Sequence, residues 1–137
     1  MSEKLSDKLG RVISTERLYL RHSGSEPNQE PGYDIHVKSS GEHVGRIETY
    51  RLSSSTSDIM VRYSIDELHR GKCYAPEALA AMTAIFLVEG VSPMLDIDSC
   101  NISSTKAAIK AGYKHSGNIY GNLQLYKPNV ESEPTLL

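Results

Sequence analysis

His69-Arg70-Gly71-Lys72-Cys73-Tyr74-Ala75-Pro76-Glu77 decides how this chain is read. A segment in which Ile59, Val61, Tyr63 and Ile65 alternate with polar residues runs into it, the pattern of a strand. A run from Ala78 to Glu89 with helical spacing leaves it. Pro76 suits the first helical position, where its fixed φ fits and its missing N–H is not needed, and Gly71 allows the preceding loop to turn tightly. Such a loop gathers backbone N–H groups, the positive end of a helix dipole, and the cations Arg70 and Lys72, which is what holding a phosphate or pyrophosphate requires. An ordinary strand–loop–helix connection with a solvated Arg and Lys fits the same residues, so the stretch alone leaves both readings open.

Downstream of the loop, Ala78, Leu79, Met82, Ile85 and Phe86 make one apolar stripe on a helix over 75–89, closed by Gly90. Met94 to Asp98 reads as a short strand. Ser103 to Ala111 reads as a second helix, capped by Ser103 or Asn101 and stopped at Gly112. Tyr113–Ile119 and Asn122–Lys127 are two closing strands around Tyr120-Gly121. Upstream, Thr15–Arg21 alternates as a first strand, 23–32 is a polar loop, and Tyr33–Lys38 and His43–Leu52 are strands joined by a hairpin-type connection at 39–42. Residues 1–14 are weakly patterned, with Leu5, Leu9, Val12 and Ile13 as packing candidates, and 128–137 is a polar tail. Antiparallel strands followed by strand–helix–strand–helix and a hairpin predict an α/β fold. Its mixed, largely antiparallel sheet is flanked by helices and contains one parallel pair, 58–65 with 94–98.

The chain's 137 residues suit a single domain, with its core over about 15–127. A net charge of −2 provides no electrostatic footprint for nucleic acid or an anionic membrane. No apolar run approaches the roughly 20 residues that span a bilayer, and the polar start Met1-Ser2-Glu3-Lys4 has no signal core. Cys73 and Cys100 lack C-x-x-C spacing, which predicts reduced thiols in a cytoplasm. The five His are scattered without ligand-like spacing, so no metal site is expected.

Four motifs in order make the sequence resemble the GNAT (Gcn5-related) N-acetyltransferases, nearest to the Rim-type branch that acetylates the N-termini of ribosomal proteins. Thr15–Arg21 is similar to that branch's opening strand. Tyr63-Ser64-Ile65 followed by Arg70–Ala78 resembles its acetyl-CoA pyrophosphate motif, R/Q-x-x-G-x-G/A. Asn101-Ile102-Ser103-Ser104 resembles the cofactor-contacting turn, and Lys110-Ala111-Gly112-Tyr113 the K-x-G-F/Y that ends the next helix. The resemblance implies acetyl-CoA as co-substrate, held by Ser64, Ile65, Arg70, Gly71, Lys72, Cys73, Tyr74, Ala75, Asn101 and Ser104. It also implies that the parallel pair splays apart.

Two positions depart from the pattern. Cys73 stands where the family has the central glycine of the phosphate loop. Either its side chain crowds the pyrophosphate, or the backbone there does without a positive φ. Cys73 can also be read as a reactive thiol at a helix N-terminus beside Lys72, or simply as a small space-filler. Relatives place two helices between their first and second strands. Here His22 to Gly32 is too short for two helices at about 1.5 Å rise per residue, so the acceptor cleft is expected to be open or completed by a second subunit in a homodimer.

The resemblance implies direct attack of an amine on the acetyl thioester, with backbone N–H groups near Ser64 and Ile65 polarising the carbonyl and the Ser103 helix dipole favouring the departing thiolate. Relatives often carry a base five residues before the Asn. Asp96 stands there, Asp98 shares its face, and Glu48 on the third strand is a further candidate. Seven residues after the Asn, where many relatives have an acidic Tyr, this chain has Ala108. Ser104, one turn earlier on the same helix face, is the candidate acid or thiol contact, with helix capping as its plain alternative. Neutralising a Lys amine at pH 7 costs about 4.6 kcal/mol and an α-amine about 1.4. A site without a sure base is therefore better matched to a peptide N-terminus or a weakly basic small amine. The competing reading is a GNAT-fold module that binds CoA or a protein partner with little or no turnover.

Overall fold

The computed structural model describes residues 12–23, 32–51 and 58–129. The expectations for Leu5, Leu9, Leu52, the 23–32 loop interior, the Ser-rich turn after 52 and the C-terminal tail lie outside them. Eight strands form one sheet: β1 (Val12–Ser14), β2 (Leu18–Ser23), β3 (Gly32–Val37), β4 (His43–Arg51), β5 (Asp58–Ile65), β6 (Ser92–Asp98), β7 (Tyr113–Tyr120) and β8 (Leu123–Pro128). Their spatial order is β1-β2-β3-β4-β5-β6-β8-β7. The described residues add two α-helices, α1 (Tyr74–Val88) and α2 (Ile102–Lys110), and a 3₁₀ turn at Glu67–His69.

Every strand pair is antiparallel except β5 with β6. Helix α1 carries the chain across the sheet between these two strands, as a parallel pair demands. Their pairing lasts only from Asp58↔Ser92 to Met60↔Met94. Beyond it β5 stays on β4 as far as Gly45↔Ile65, and β6 takes β8 from Leu95↔Tyr126. The sheet therefore splits into a V that opens toward the C-terminal ends of both strands, where α1 and α2 begin.

At the V's edge β4 approaches β5 closely. A Cβ on Gly45 would collide with the Ser64 carbonyl and the Ile65 side chain, so only glycine fits there. Between β2 and β3 the ladder runs unbroken from Leu18↔Val37 to Ser23↔Gly32, leaving only 24–31 to connect them.

Ile13, Leu18, Leu20, Tyr33, Ile35, Ile47, Ile59, Val61, Leu95 and Ile97 of the sheet bury against Ala78, Leu79, Met82 and Phe86 of α1. The predicted α1 stripe differs at one place: Ile85 is only partly buried, and Thr83 is buried instead. Thr83 escapes the penalty for a buried hydroxyl because its Oγ1 lies 2.6 Å from the Tyr113 hydroxyl. Strand β1, absent from the sequence reading, pairs Ile13 with Leu20 and covers one end of the core. Helix α1 begins at Tyr74, so Pro76 is its third residue rather than its first. Its missing N–H still falls among the donors that a first turn leaves unpaired.

Candidate active site

A groove of about 800 Å³ lies at the mouth of the V, within the size range of small-molecule sites. It is lined by Tyr63, Ser64 and Ile65 of β5, by His69, Arg70, Gly71, Cys73, Tyr74, Ala75 and Pro76 of the loop and first turn of α1, and by Asn101, Ile102, Ser103, Ser104, Lys106, Ala107 and Lys110 at α2. All the residues expected to hold a cofactor meet there except Lys72, which is exposed and does not line the groove. Two helix N-termini converge on it, and with Arg70, Lys106 and Lys110 they give one wall a positive character.

The phosphate-type loop is shaped by two left-handed residues. Gly71 has φ +84, and Cys73 has φ +63 and ψ +29. Cys73 is the one non-glycine residue with positive φ among those described. This removes one of the two readings of the missing glycine: the backbone here does adopt the conformation that glycine favours, with a side chain in place. The loop is tied down from outside. The Arg17 guanidinium donates to the Cys73 carbonyl at 3.2 Å and stacks over the Tyr74 ring, 4.9 Å from its centroid. It also donates to Glu77 at 2.7 Å. Glu77 accepts further bonds from the Thr15 hydroxyl (2.6 Å) and the Arg17 backbone N–H (2.8 Å). Burial pushes the Glu77 carboxyl up, but these three donors together hold it below the ordinary carboxylate range. On the groove side the Lys110 ammonium lies 3.0 Å from Cys73 Sγ.

The Asp66 backbone N–H bonds to the Val44 carbonyl at 2.8 Å. Alternation along an antiparallel strand then directs the Ser64 amide at β4 and the amides of Tyr63 and Ile65 into the V. Part of that edge is already engaged, since Arg70 Nε donates to the Ile65 carbonyl at 2.9 Å. On α2, Asn101 is the N-cap: its Oδ1 accepts the Ser104 backbone N–H at 3.1 Å. The Ser104 hydroxyl is therefore not a cap. It donates to the Tyr63 hydroxyl at 3.0 Å, while Tyr63 donates to the Ser104 carbonyl at 2.8 Å. Burial raises the Tyr63 phenol above its ordinary value.

The carboxylates considered as bases do not line the groove. They lie on the sheet face opposite Ile59 and Val61, with Tyr50 and Arg62. Asp96 is 7% exposed, and both its oxygens are taken by Arg62, at 2.9 and 3.4 Å. The Tyr50 hydroxyl is 3.5 Å away, and Arg62 covers the Tyr50 ring. Glu48 is 64% exposed and bonded to Arg46 at 3.1 Å. Asp98 accepts the Cys100 backbone N–H in the turn before α2. No cluster of three or more His, Cys, Asp or Glu able to hold a metal occurs among the described residues, and no described helix is long and apolar enough to cross a membrane.

Sequence reasoning placed Tyr63, Lys110 and Arg17 in family-like motifs but gave none of them a role in the site. Tyr63 shares the β5 face of Ile59 and Val61 and reads locally as core. Its partner, 41 residues on, is set only by how α2 docks.

A family model described as an acetyltransferase (GNAT) domain matches residues 11–114. An acetyltransferase of the GNAT family from Bacillus anthracis superposes with TM-score 0.71 at 15% identity, covering 85% of this chain and 96% of that one. A Vibrio cholerae protein provisionally described as a ribosomal-protein-serine acetyltransferase gives 0.68 at 14%, covering 85% and 95%. An aminoglycoside acetyltransferase in complex with coenzyme A and kanamycin gives 0.60 at 14%, covering 71% and 64%. At these identities the likeness concerns the fold. No curated protein matches the chain in sequence.

Proposed function

Because the chain belongs to the acetyltransferase (GNAT) family, we propose that it moves the acetyl group of acetyl-CoA to a primary amine by direct attack, with a peptide N-terminus or a weakly basic small amine as acceptor. The observation that carries this is the groove itself: a split sheet, a loop with two left-handed residues, and two helix N-termini at one opening. These features fit the co-substrate. The amides at the start of α1, with Arg70 and Lys110, suit a pyrophosphate. The Tyr63 and Ile65 edge suits the pantetheine and thioester carbonyl, and Ser104 with Tyr63 lies at the α2 end, where a thiol would leave. Bound there, acetyl-CoA supplies the activated acyl carbon.

The engagement of Asp96 by Arg62 supports the α-amine. To reach that carboxylate an acceptor would have to displace a guanidinium. An amine of pKa near 8 needs little help, since its neutral form costs about 1.4 kcal/mol at pH 7. Thiol release from acetyl-CoA, measured with unblocked peptides, Nα-blocked lysine peptides and small amines, tests this. Unblocked peptides should react fastest, and an acceptor panel that never raises release above hydrolysis sinks the proposal.

The same Asp96–Arg62 pair also favours a second reading, a module that binds CoA with little turnover. Tight CoA binding combined with that negative panel would establish it. In the described residues no helix covers the Tyr50–Arg62–Asp96 face, which is consistent with a second subunit completing the acceptor side. Sedimentation equilibrium tests for that dimer.

A further inference from the structure

Tyr63 from β5 and Ser104 from the first turn of α2 form a closed pair of hydrogen bonds on the groove wall. The phenol hydrogen goes to the Ser104 carbonyl (2.8 Å) and the Ser104 hydroxyl hydrogen to the phenol oxygen (3.0 Å). The neighbouring hydroxyl of Thr105 is turned away, onto the Asn101 carbonyl at 3.0 Å. The side chains of nearby Ala107 and Ala108 carry no exchangeable proton. An alcohol alone is a weak acid, whereas a phenol ionises near pH 10. The carbonyl that now receives the phenol hydrogen and the hydroxyl oxygen beside it belong to the same residue. A small rotation moves that hydrogen from one to the other.

We propose that Tyr63 is the proton reservoir behind Ser104 during acetyl transfer. As the amine nitrogen bonds to the acetyl carbon and the C–S bond breaks, the sulfur takes the Ser104 hydroxyl proton and Ser104 takes that of Tyr63. The phenolate is then reprotonated, through water, by the proton that the new amide nitrogen sheds, so the step needs no other acid or base. This rests on the acetyl-transfer reading and assigns Tyr63 a positioning and proton-supplying role rather than direct contact with substrate. Burial keeps the phenol protonated through neutral pH. The titratable groups whose charge bears on it are Tyr126 of β8 and Tyr113 of β7, and His69, Arg70, Cys73, Lys106 and Lys110 share the groove wall.

Tyr63→Phe keeps the ring and removes the proton. The variant should bind CoA within about twofold of the parent and lose about a hundredfold in kcat. The alkaline limb of the kcat profile, where the parent's phenol ionises, should disappear. A second readout needs no acceptor: ionisation of the thiol of bound CoA, followed by the ultraviolet absorbance of the thiolate against the desulfo-CoA complex. A donor aimed at the thiolate favours its charged form, so the parent should titrate about one pH unit below Tyr63→Phe. Ser104→Ala should match Tyr63→Phe, and the double variant should shift no further, because the two hydroxyls act as one unit. Parent-like titration in Tyr63→Phe, or additive shifts in the double variant, overturns the relay. If the parent protein does not transfer acetyl at all, the acetyl-transfer reading and the relay fall together, whereas transfer combined with parent-like thiol titration in Tyr63→Phe overturns the relay alone.

Discussion

Replacing Cys73 by glycine tests the central feature of the loop. The residue sits at φ +63 and ψ +29, a conformation that costs a non-glycine residue about 1–2 kcal/mol. Glycine removes that strain but gains freedom in the unfolded chain, worth about 0.4–1 kcal/mol against it. The thiol's contact with Lys110 joins two exposed groups and adds little. The balance is a stabilisation of about 0.5–1 kcal/mol, or a Tm rise of about 2–4 °C for a domain of this size. Binding follows separately. If Cβ and Sγ hold a pyrophosphate off one loop amide, the glycine variant recovers a charge-assisted hydrogen bond of about 1.5 kcal/mol, and Kd for CoA falls about tenfold.

Differential scanning calorimetry of the free protein and isothermal titration with CoA measure the two effects. Cys73→Ala is the control, because it removes the thiol and keeps Cβ. It should show neither gain. A glycine variant that melts at or below the parent, or an alanine variant that gains as much, would refute the strain argument. An unchanged or weaker CoA Kd in the glycine variant would show that the cysteine does not crowd the ligand.

Glu77→Gln should lower stability at pH 7 in thermal unfolding, and the loss should shrink as pH falls through the carboxyl's folded pKa, which lies below the ordinary carboxylate range. The carboxyl's folded pKa is depressed, so its contribution is present above the unfolded value and disappears as pH falls through the folded one. A pH-independent difference would contradict this. Thr83→Val leaves the buried Tyr113 hydroxyl without its partner and should cost about 1–3 kcal/mol in denaturant unfolding. The double variant with Tyr113→Phe should recover most of that loss, and a simple sum of the two would count against the pairing. Gly45→Ala places a methyl group against the Ser64 carbonyl. It should destabilise by about 1–3 kcal/mol and weaken CoA binding, because the β5 edge carries the groove.

The strands from β2 to β8 and both helices were legible because each has its own period or punctuation, although the strand expected at Thr15–Arg21 lies at Leu18–Ser23, with Thr15–Arg17 in the turn before it. Ile59, Val61, Tyr63 and Ile65 alternate, and Gly90 and Gly112 stop the helices. The parallel pair followed from chain order alone. Strand β1 was not legible, since three residues with one buried side chain carry no period. Thr83 looked like a break in an apolar stripe because the hydroxyl that satisfies it lies 30 residues away. The loop could be located from sequence, but its dihedrals could not, and only they show that Cys73 occupies a left-handed position. Asp96 could be named as a candidate base from its spacing to Asn101. Its engagement by Arg62 depends on the register of β5 against β6 where the two strands are parting, and no local pattern encodes that.

A cysteine persists in a glycine conformation only if its surroundings over-determine it, and here the surroundings come from the turn before β2. Arg17 holds the Cys73 carbonyl and the Tyr74 ring, and Thr15 and Arg17 together hold Glu77 in the first turn of α1. The loop's shape therefore rests on a clamp 56 residues distant in sequence rather than on glycine. This predicts a specific coupling. Arg17→Ala should weaken CoA binding in the parent, because a released Cys73 relaxes toward negative φ and turns the loop amides away. In a Cys73→Gly background the left-handed conformation carries no strain, and the same Arg17→Ala change should cost much less affinity. A double-mutant cycle by isothermal titration measures the difference, expected at about 1 kcal/mol and well above the scatter of independent sites. Equal losses in the two backgrounds would mean that Arg17 acts on the ligand directly, or not at all, and that the loop holds its shape without it.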